Sequence, residues 1–295
     1  MAVPEFIDPK LIGRLEQLEL KTNRVFRGRQ RGERRSRKRG VSIEFADYRD
    51  YARGDDTRHL DWNIYGRLER LFIKLYQEEE DLVFHILLDT SASMDFGTPV
   101  TKFAYARQLA AALGYIALAN QDKIALTSFA TRADKVFRPA RGKAQLVKYL
   151  RFLDELAPAS GTSLSASCRD FAMQSKQSGV VLFISDFLDE RGHEEALKHF
   201  FARNYEVYAI HLLAKEEKDP PLNGHLELVD AETGEKQEIT VTAAVLDAYR
   251  KTLEAHCRAI RDWCSARDMT YVPVTTDVPL ETFLLSNLRY NGLVT

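Results

Sequence analysis

From residue 82 onward the chain alternates between short, almost wholly apolar runs and longer stretches with apolar residues every three or four positions. The runs at 82–88, 123–129, 180–185, 205–213 and 270–275 have the length and composition of strands buried on both faces. A further edge strand is expected at 133–138. The 3.6-residue period predicts helices over 101–119, 143–156, 163–175, 192–202, 244–267 and 279–288. Strand and helix in alternation predict an α/β fold: a Rossmann-like, mostly parallel central sheet with helices on both faces. Between 225 and 242, HLELVDAETGEKQEITVT alternates around a Thr-Gly pair, the pattern of a β-hairpin inserted into that domain.

The pattern before residue 82 is different. Helical spacing runs over 9–22, through Leu11, Ile12, Leu15, Leu18 and Leu20, and leads into a basic arm. Residues 41–80 mix aromatic and charged positions and end in the alternating LFIKLYQ, which predicts irregular structure followed by an edge strand. The expected organisation is therefore an N-terminal extension, 1–80, comprising helix, basic arm and an apron packed on a main domain of 81–295.

Composition changes this picture in one place. With 295 residues, 45% hydrophobic and 29% charged, the chain can bury a full core. Its formal charge of -1 conceals a net +9 over residues 21–39, against -10 in the rest. Such an arm suits an acidic partner. Nucleic acid is not favoured, because Tyr48, Tyr51 and Trp62 lie downstream of the arginines and are not interleaved with them. The three cysteines, Cys168, Cys257 and Cys264, form no CxxC spacing, which fits a reducing compartment. No window reaches the ~18 unbroken apolar residues of a membrane span, so a cytoplasmic protein is expected.

The candidate chemistry lies where the first apolar run ends, in VFHILLDTSASMDFG. In an open α/β sheet the residues just past the carboxyl ends of the strands line the ligand crevice. Asp89 stands there, with Ser91 and Ser93 following in the loop. Thr162 precedes a predicted helix, and Asp186 follows the run 180–185 by one residue. Two carboxylates and three hydroxyls form an all-oxygen set suited to Mg²⁺, with Mn²⁺ or Ca²⁺ as alternatives, and short of the six or more oxygens such ions take. A lone DxSxS also fits a helix-capping loop. Thr162 and Asp186 in register favour the metal site.

Asp89-x-Ser91-x-Ser93, Thr162 and Asp186 resemble the metal-ion-dependent adhesion site of a von Willebrand factor type A domain. That resemblance implies direct ligation by Ser91, Ser93 and Thr162, with Asp89 and Asp186 acting often through water. The preceding GVSIEFADYRDYARGDDTRHLDW, with its Glu-Phe, Arg-x-Tyr, Gly-Asp-Asp and Arg-x-x-Asp-Trp elements, is similar to the bacterial family known as domain of unknown function 58. Membership implies partnership with a MoxR-type AAA+ ATPase in a chaperone-like or regulatory assembly. Larger members carry transmembrane helices that have no counterpart here.

Rival chemistry is weaker. A haloacid dehalogenase-type phosphatase needs Asp-x-Asp, and the second position here is Ser91. A metal-dependent phosphoesterase working through the strand-end carboxylates remains the alternative to a non-catalytic binding module. P-loop, GxSxG and HExxH motifs do not occur. Gly54-Asp55-Asp56 with Arg58 and Asp61 reads as a turn held by ion pairs. His256, in a long amphipathic helix, receives no role.

Overall fold

The computed structural model describes residues 6–22, 44–52, 57, 60–77, 82–159, 161, 163–175, 179–189, 192–203, 205–230 and 234–295. The chain divides into two compact units, one formed by Met1–Arg24 with Leu82–Thr295 and the other by Val25–Asp81. The N-terminal helix α1 (Pro9–Leu15) thus falls with the larger unit. It is shorter than the predicted 9–22 because Leu20 leaves the helix to bridge antiparallel to Val294. Glu19 and Thr295 exchange backbone hydrogen bonds at 3.2 and 3.1 Å beside that bridge.

The smaller unit contains a two-stranded antiparallel sheet of β1 (Glu44–Asp50) and β2 (Phe72–Gln77), with α2 (Trp62–Leu68) between them in sequence. Irregular structure is predicted before β2, yet β1 is a strand: it has no apolar run, and its pairing with β2 supplies what local composition does not. Asp61 caps α2, accepting from the Asn63 and Ile64 N–H groups at 2.9 and 3.2 Å. Its other oxygen accepts from the Tyr48 hydroxyl at 3.1 Å. Asp61 is therefore a helix cap; the rest of the Gly54-Asp55-Asp56 and Arg58 cluster lies outside the described residues.

The larger unit is built on a six-stranded sheet. Its strands are β3 (Val83–Asp89), β4 (Lys123–Phe129), β5 (Ala133–Arg141), β6 (Gly179–Ser185), β7 (Glu206–Leu213) and β10 (Thr270–Thr275), in spatial order β10-β7-β6-β3-β4-β5. All pairs are parallel except β4 with β5. The predicted fold class is the one observed. Side chains alternate between two cores, as the strand period of two requires. Phe84, Ile86, Leu88, Leu182, Ile184 and Ile210 join one core with α3 (Lys102–Ala119) and α4 (Leu146–Asp154). Leu87, Val181, Phe183, Val207 and Ala209 join the other, with α5 (Leu164–Gln174) and α6 (His193–Phe201). Strands covered on both faces read as continuous apolar runs, which explains their legibility.

Two glycines mark close approaches. A Cβ on Gly179 would lie 2.1 Å from the Val83 carbonyl oxygen, and one on Gly114 would lie 2.1 Å from the Tyr149 ring. The hairpin of β8 (Gly224–Val229) and β9 (Lys236–Val241) forms where the turn signal predicts it, as a separate sheet whose residues are mostly exposed. It is preceded by the short α7 (Lys215–Lys218) and followed by the 23-residue α8 (Ala243–Ser265), of which Ile260 and Cys264 are buried. After β10 the chain closes with α9 (Leu280–Thr282) and a π-helical turn, Phe283–Leu288. Among the described residues no helix is long and apolar enough to cross a membrane.

Candidate metal centre

The connection pattern puts a crevice at Asp89. From β3 the chain crosses to β4 on one side, whereas β6 lies on the other. The carboxyl ends of β3 and β6 therefore meet at a topological switch point, where open α/β sheets bind ligands. Asp89 ends β3 and Ser185 ends β6, and the Ser185 hydroxyl donates to Asp89 Oδ2 at 2.6 Å. Asp89 Oδ1 accepts from the Ser91 N–H at 2.9 Å. Asp89 is fully buried. Burial first, then the neighbouring Asp186 charge, push its carboxyl up to about 7, against the opposing effect of the Ser185 and Ser91 donors.

The loop after Asp89 is held as a platform. Thr90 donates through both its backbone N–H and its hydroxyl to the Phe129 carbonyl, at 2.8 and 2.9 Å. Ser91 precedes a single 3₁₀ turn, Ala92–Asp95, but its side chain makes no capping bond to it. Instead the Ser91 and Ser93 hydroxyl oxygens lie 3.0 Å apart. The helix-capping alternative thus fails at Ser91, and α3 is capped by Thr101. The two serine oxygens are close enough to share one cation.

Asp186 is buried one residue beyond β6. Its Oδ1 accepts from the Leu188 N–H at 3.1 Å. The next residue, Phe187, has the left-handed φ of 55°, an unfavourable backbone for a bulky side chain, held by its N–H to the Ser185 hydroxyl at 2.9 Å. Thr162 lies outside the described residues. Nearby, the Ala159 N–H donates to the Thr90 carbonyl at 2.7 Å, and the Ser163 N–H to the Ala130 carbonyl at 2.9 Å. Asp89, Ser91, Ser93 and Asp186 are thus brought together at one strand-end crevice. Their donor set fits a hard divalent cation: all are oxygens, and the Asp186 charge acts against ionisation of Asp89, a conflict that a cation between them relieves.

Sequence reasoning missed two charged neighbours. Lys102 is fully buried, and its Nζ donates to Asp186 Oδ2 at 2.7 Å and to Glu217 Oε1 at 2.5 Å. Burial opposes its charge, but the Asp186 and Glu217 carboxylates outweigh that and raise its pKa. Glu217 is raised by its own burial even against Lys102. Its carboxyl group accepts from two donors, Lys102 and the Ala214 N–H at 2.7 Å from Oε2. No signal in the sequence marks Lys102. It directly follows the helix cap Thr101, a position where a lysine is ordinarily solvated, so only the strand order reveals its anions.

Three histidines pack in a row beside the site, His211 and His256 within reach of the Asp186 charge. His211 lies edge-on to Phe187 at 5.4 Å, and His256 sits between His211 and His193, at 6.0 and 6.2 Å between ring centres. His211 Nδ1 shares a 2.8 Å hydrogen bond with the Tyr271 hydroxyl. Burial lowers the pKa of all three and takes His211 down to about 3, so they are neutral packing groups.

Comparison with known proteins agrees on the family. The family described as "Protein of unknown function DUF58" matches residues 47–259. An uncharacterized protein of Mycobacterium tuberculosis is 29% identical over 255 residues, covering 84% of this chain and 80% of the relative; one from Mycobacterium bovis matches equally. Among solved structures, BatB from Bacteroides thetaiotaomicron aligns over 71% of this chain and 98% of its own, with 17% identity and a TM-score of 0.46. The vWF domain of the type V pili tip protein Mfa5 from Porphyromonas gingivalis aligns over 68% and 83%, with 14% identity and a TM-score of 0.30.

Proposed function

Given that the chain belongs to the DUF58 family, we propose that it is a non-catalytic, metal-dependent protein-binding module, an adaptor of a MoxR-type AAA+ ATPase. The observation that carries this reading is the convergence of Asp89, Ser91, Ser93 and Asp186 at one strand-end crevice, with the two serine oxygens 3.0 Å apart. Mg²⁺ suits these oxygens best, and Thr162 supplies a fifth. A bound cation offers an open coordination position to an anionic oxygen. An Asp or Glu of the partner fills it, so ion and partner strengthen each other's binding reciprocally. The basic arm at 21–39 adds charge that speeds encounter with an acidic surface. The expected compartment is the cytoplasm, where such an ATPase acts.

Binding is favoured over phosphoester hydrolysis by what surrounds Asp89. Both of its oxygens accept hydrogen bonds, from Ser91 N–H and from Ser185, which anchor it. The position two residues on, where a phosphatase places its second acid, is Ser91. Calorimetric titration of the ATPase into this protein, with Mg²⁺, with EDTA, and with Thr162→Ala, tests the reading. Tight binding should appear with Mg²⁺ and the unaltered chain, and weaken in the other two conditions. Equal affinity in all three removes the metal from recognition. Turnover of phosphate esters above the metal-only background establishes the enzyme instead.

A further inference from the structure

The buried ammonium beside Asp186 has no place in the five-residue pattern. Lys102 opens α3, at the helix end least favourable to a cation, and its side chain is wholly removed from water. A buried charge persists only when paired, and Lys102 is paired twice: 2.7 Å from Asp186 Oδ2 and 2.5 Å from Glu217 Oε1. One of these carboxylates belongs to the candidate ligand set. The other does not. Glu217 is independently positioned on α7 by the Ala214 N–H at 2.7 Å, so it can keep the ammonium without Asp186.

We propose that Lys102 is a resident counter-cation that competes with a divalent ion for Asp186, with Glu217 as the carboxylate that retains the ammonium when Asp186 is given up. This rests on the metal-binding reading of the same site. The charge arithmetic explains its use. Asp89, Asp186 and Glu217 formally contribute three negative charges and Lys102 one positive, so a divalent cation leaves the cluster neutral and only moderately held. A carboxylate from a partner then adds the charge that Lys102 has cancelled. Without Lys102 the pocket would capture ions tightly whether or not a partner were present. The lysine thereby ties ion capture to partner engagement.

The two acidic neighbours of Lys102 give opposite expectations. Lys102→Met keeps the apolar stem and removes the competing charge, and should tighten Mn²⁺ binding at least tenfold. Glu217→Gln leaves Lys102 with Asp186 alone, and should weaken it at least tenfold. A purely structural ion pair predicts weakening in both. Free Mn²⁺ is measured by electron paramagnetic resonance during titration of the full chain, with no partner present and with far-UV dichroism as the fold control. Ser91→Ala with Ser93→Ala serves as the site-dead reference. Wild-type binding above that reference, with a folded Lys102→Met protein of unchanged or lower affinity, overturns the proposal and leaves the metal site standing. Wild-type binding no better than the reference supports it if Lys102→Met gains binding, and overturns both readings if it does not. Should Lys102→Met fail to fold, Lys102→Gln, which also removes the charge but keeps a polar end for Glu217, decides: tighter binding than wild type supports the proposal, and equal or weaker binding overturns it.

Discussion

Ser185 and Asp89, the last residues of two neighbouring parallel strands, are joined by a 2.6 Å hydrogen bond from the serine hydroxyl to Asp89 Oδ2. The bond ties the carboxyl ends of β3 and β6 together at the mouth of the crevice. It also holds a carboxyl group in a place where ionisation is unfavourable.

That placement has a pH consequence. In the unfolded chain an aspartate titrates near 3.8, whereas burial and the Asp186 charge raise Asp89 to about 7 in the fold. Folding therefore favours the protonated group. Its contribution is complete below the unfolded pKa and is lost as pH rises through the folded one. In EDTA, wild type should lose thermal stability relative to Asp89→Asn, which is neutral at every pH, as pH rises from about 4 to about 8. Melting temperatures of the two proteins across that range measure it. A pH-independent difference would mean that Asp89 ionises as an ordinary aspartate.

Removing the serine hydroxyls should abolish ion binding and spare the fold. Ser91 caps no helix, and its hydroxyl meets the Ser93 hydroxyl, so the Ser91→Ala, Ser93→Ala double variant should lose no more than about 1 kcal/mol of stability. Mg²⁺ at millimolar level should raise the wild-type melting temperature and leave the variant's unmoved. An equal shift in both proteins would discard the serines as ligands.

Two of the helix glycines, Gly13 and Gly114, should respond in opposite directions to alanine. A Cβ added at Gly13 in α1 would meet nothing within 4 Å, so Gly13→Ala should be neutral or stabilise by up to about 1 kcal/mol. Gly114 in α3 packs directly under the Tyr149 ring, itself held by its hydroxyl to the Ala110 carbonyl at 2.8 Å. Gly114→Ala should therefore destabilise by about 1–3 kcal/mol despite the better helix propensity. Urea denaturation separates the two outcomes, and a stabilising Gly114→Ala would contradict the packing of α4 on α3.

The hairpin should be dispensable for folding. Gly224 and Val241 are opposite one another in register, and the strands between them are largely exposed. Replacing 225–240 by a two-residue turn removes little buried surface, so the melting temperature should stay within about 5 °C of wild type. A collapse of the cooperative transition would show that the hairpin supports α8.

The large sheet could be read in advance because each buried strand is an apolar run, and a run ending in a carboxylate marks a rim. The rim positions of Asp89, Ser91, Ser93 and Asp186 were legible for that reason. Lys102 was not, since one lysine after a threonine cap looks like any solvated helix start until the strand order brings Asp186 and Glu217 to it. Ser185 was hidden as well, as the last polar residue of an apolar strand, with a partner 96 positions away. β1 escaped because EFADYRD has neither an apolar run nor a clean alternation, and its partner β2 comes more than twenty residues later.

The antiparallel bridge between Leu20 and Val294, with the paired backbone bonds of Glu19 and Thr295, fastens the first and last segments of the larger unit side by side. Two stretches far apart in sequence are consequently clasped within one unit. Removing Val294 and Thr295 would therefore also free the Glu19 and Leu20 backbone groups that they hold.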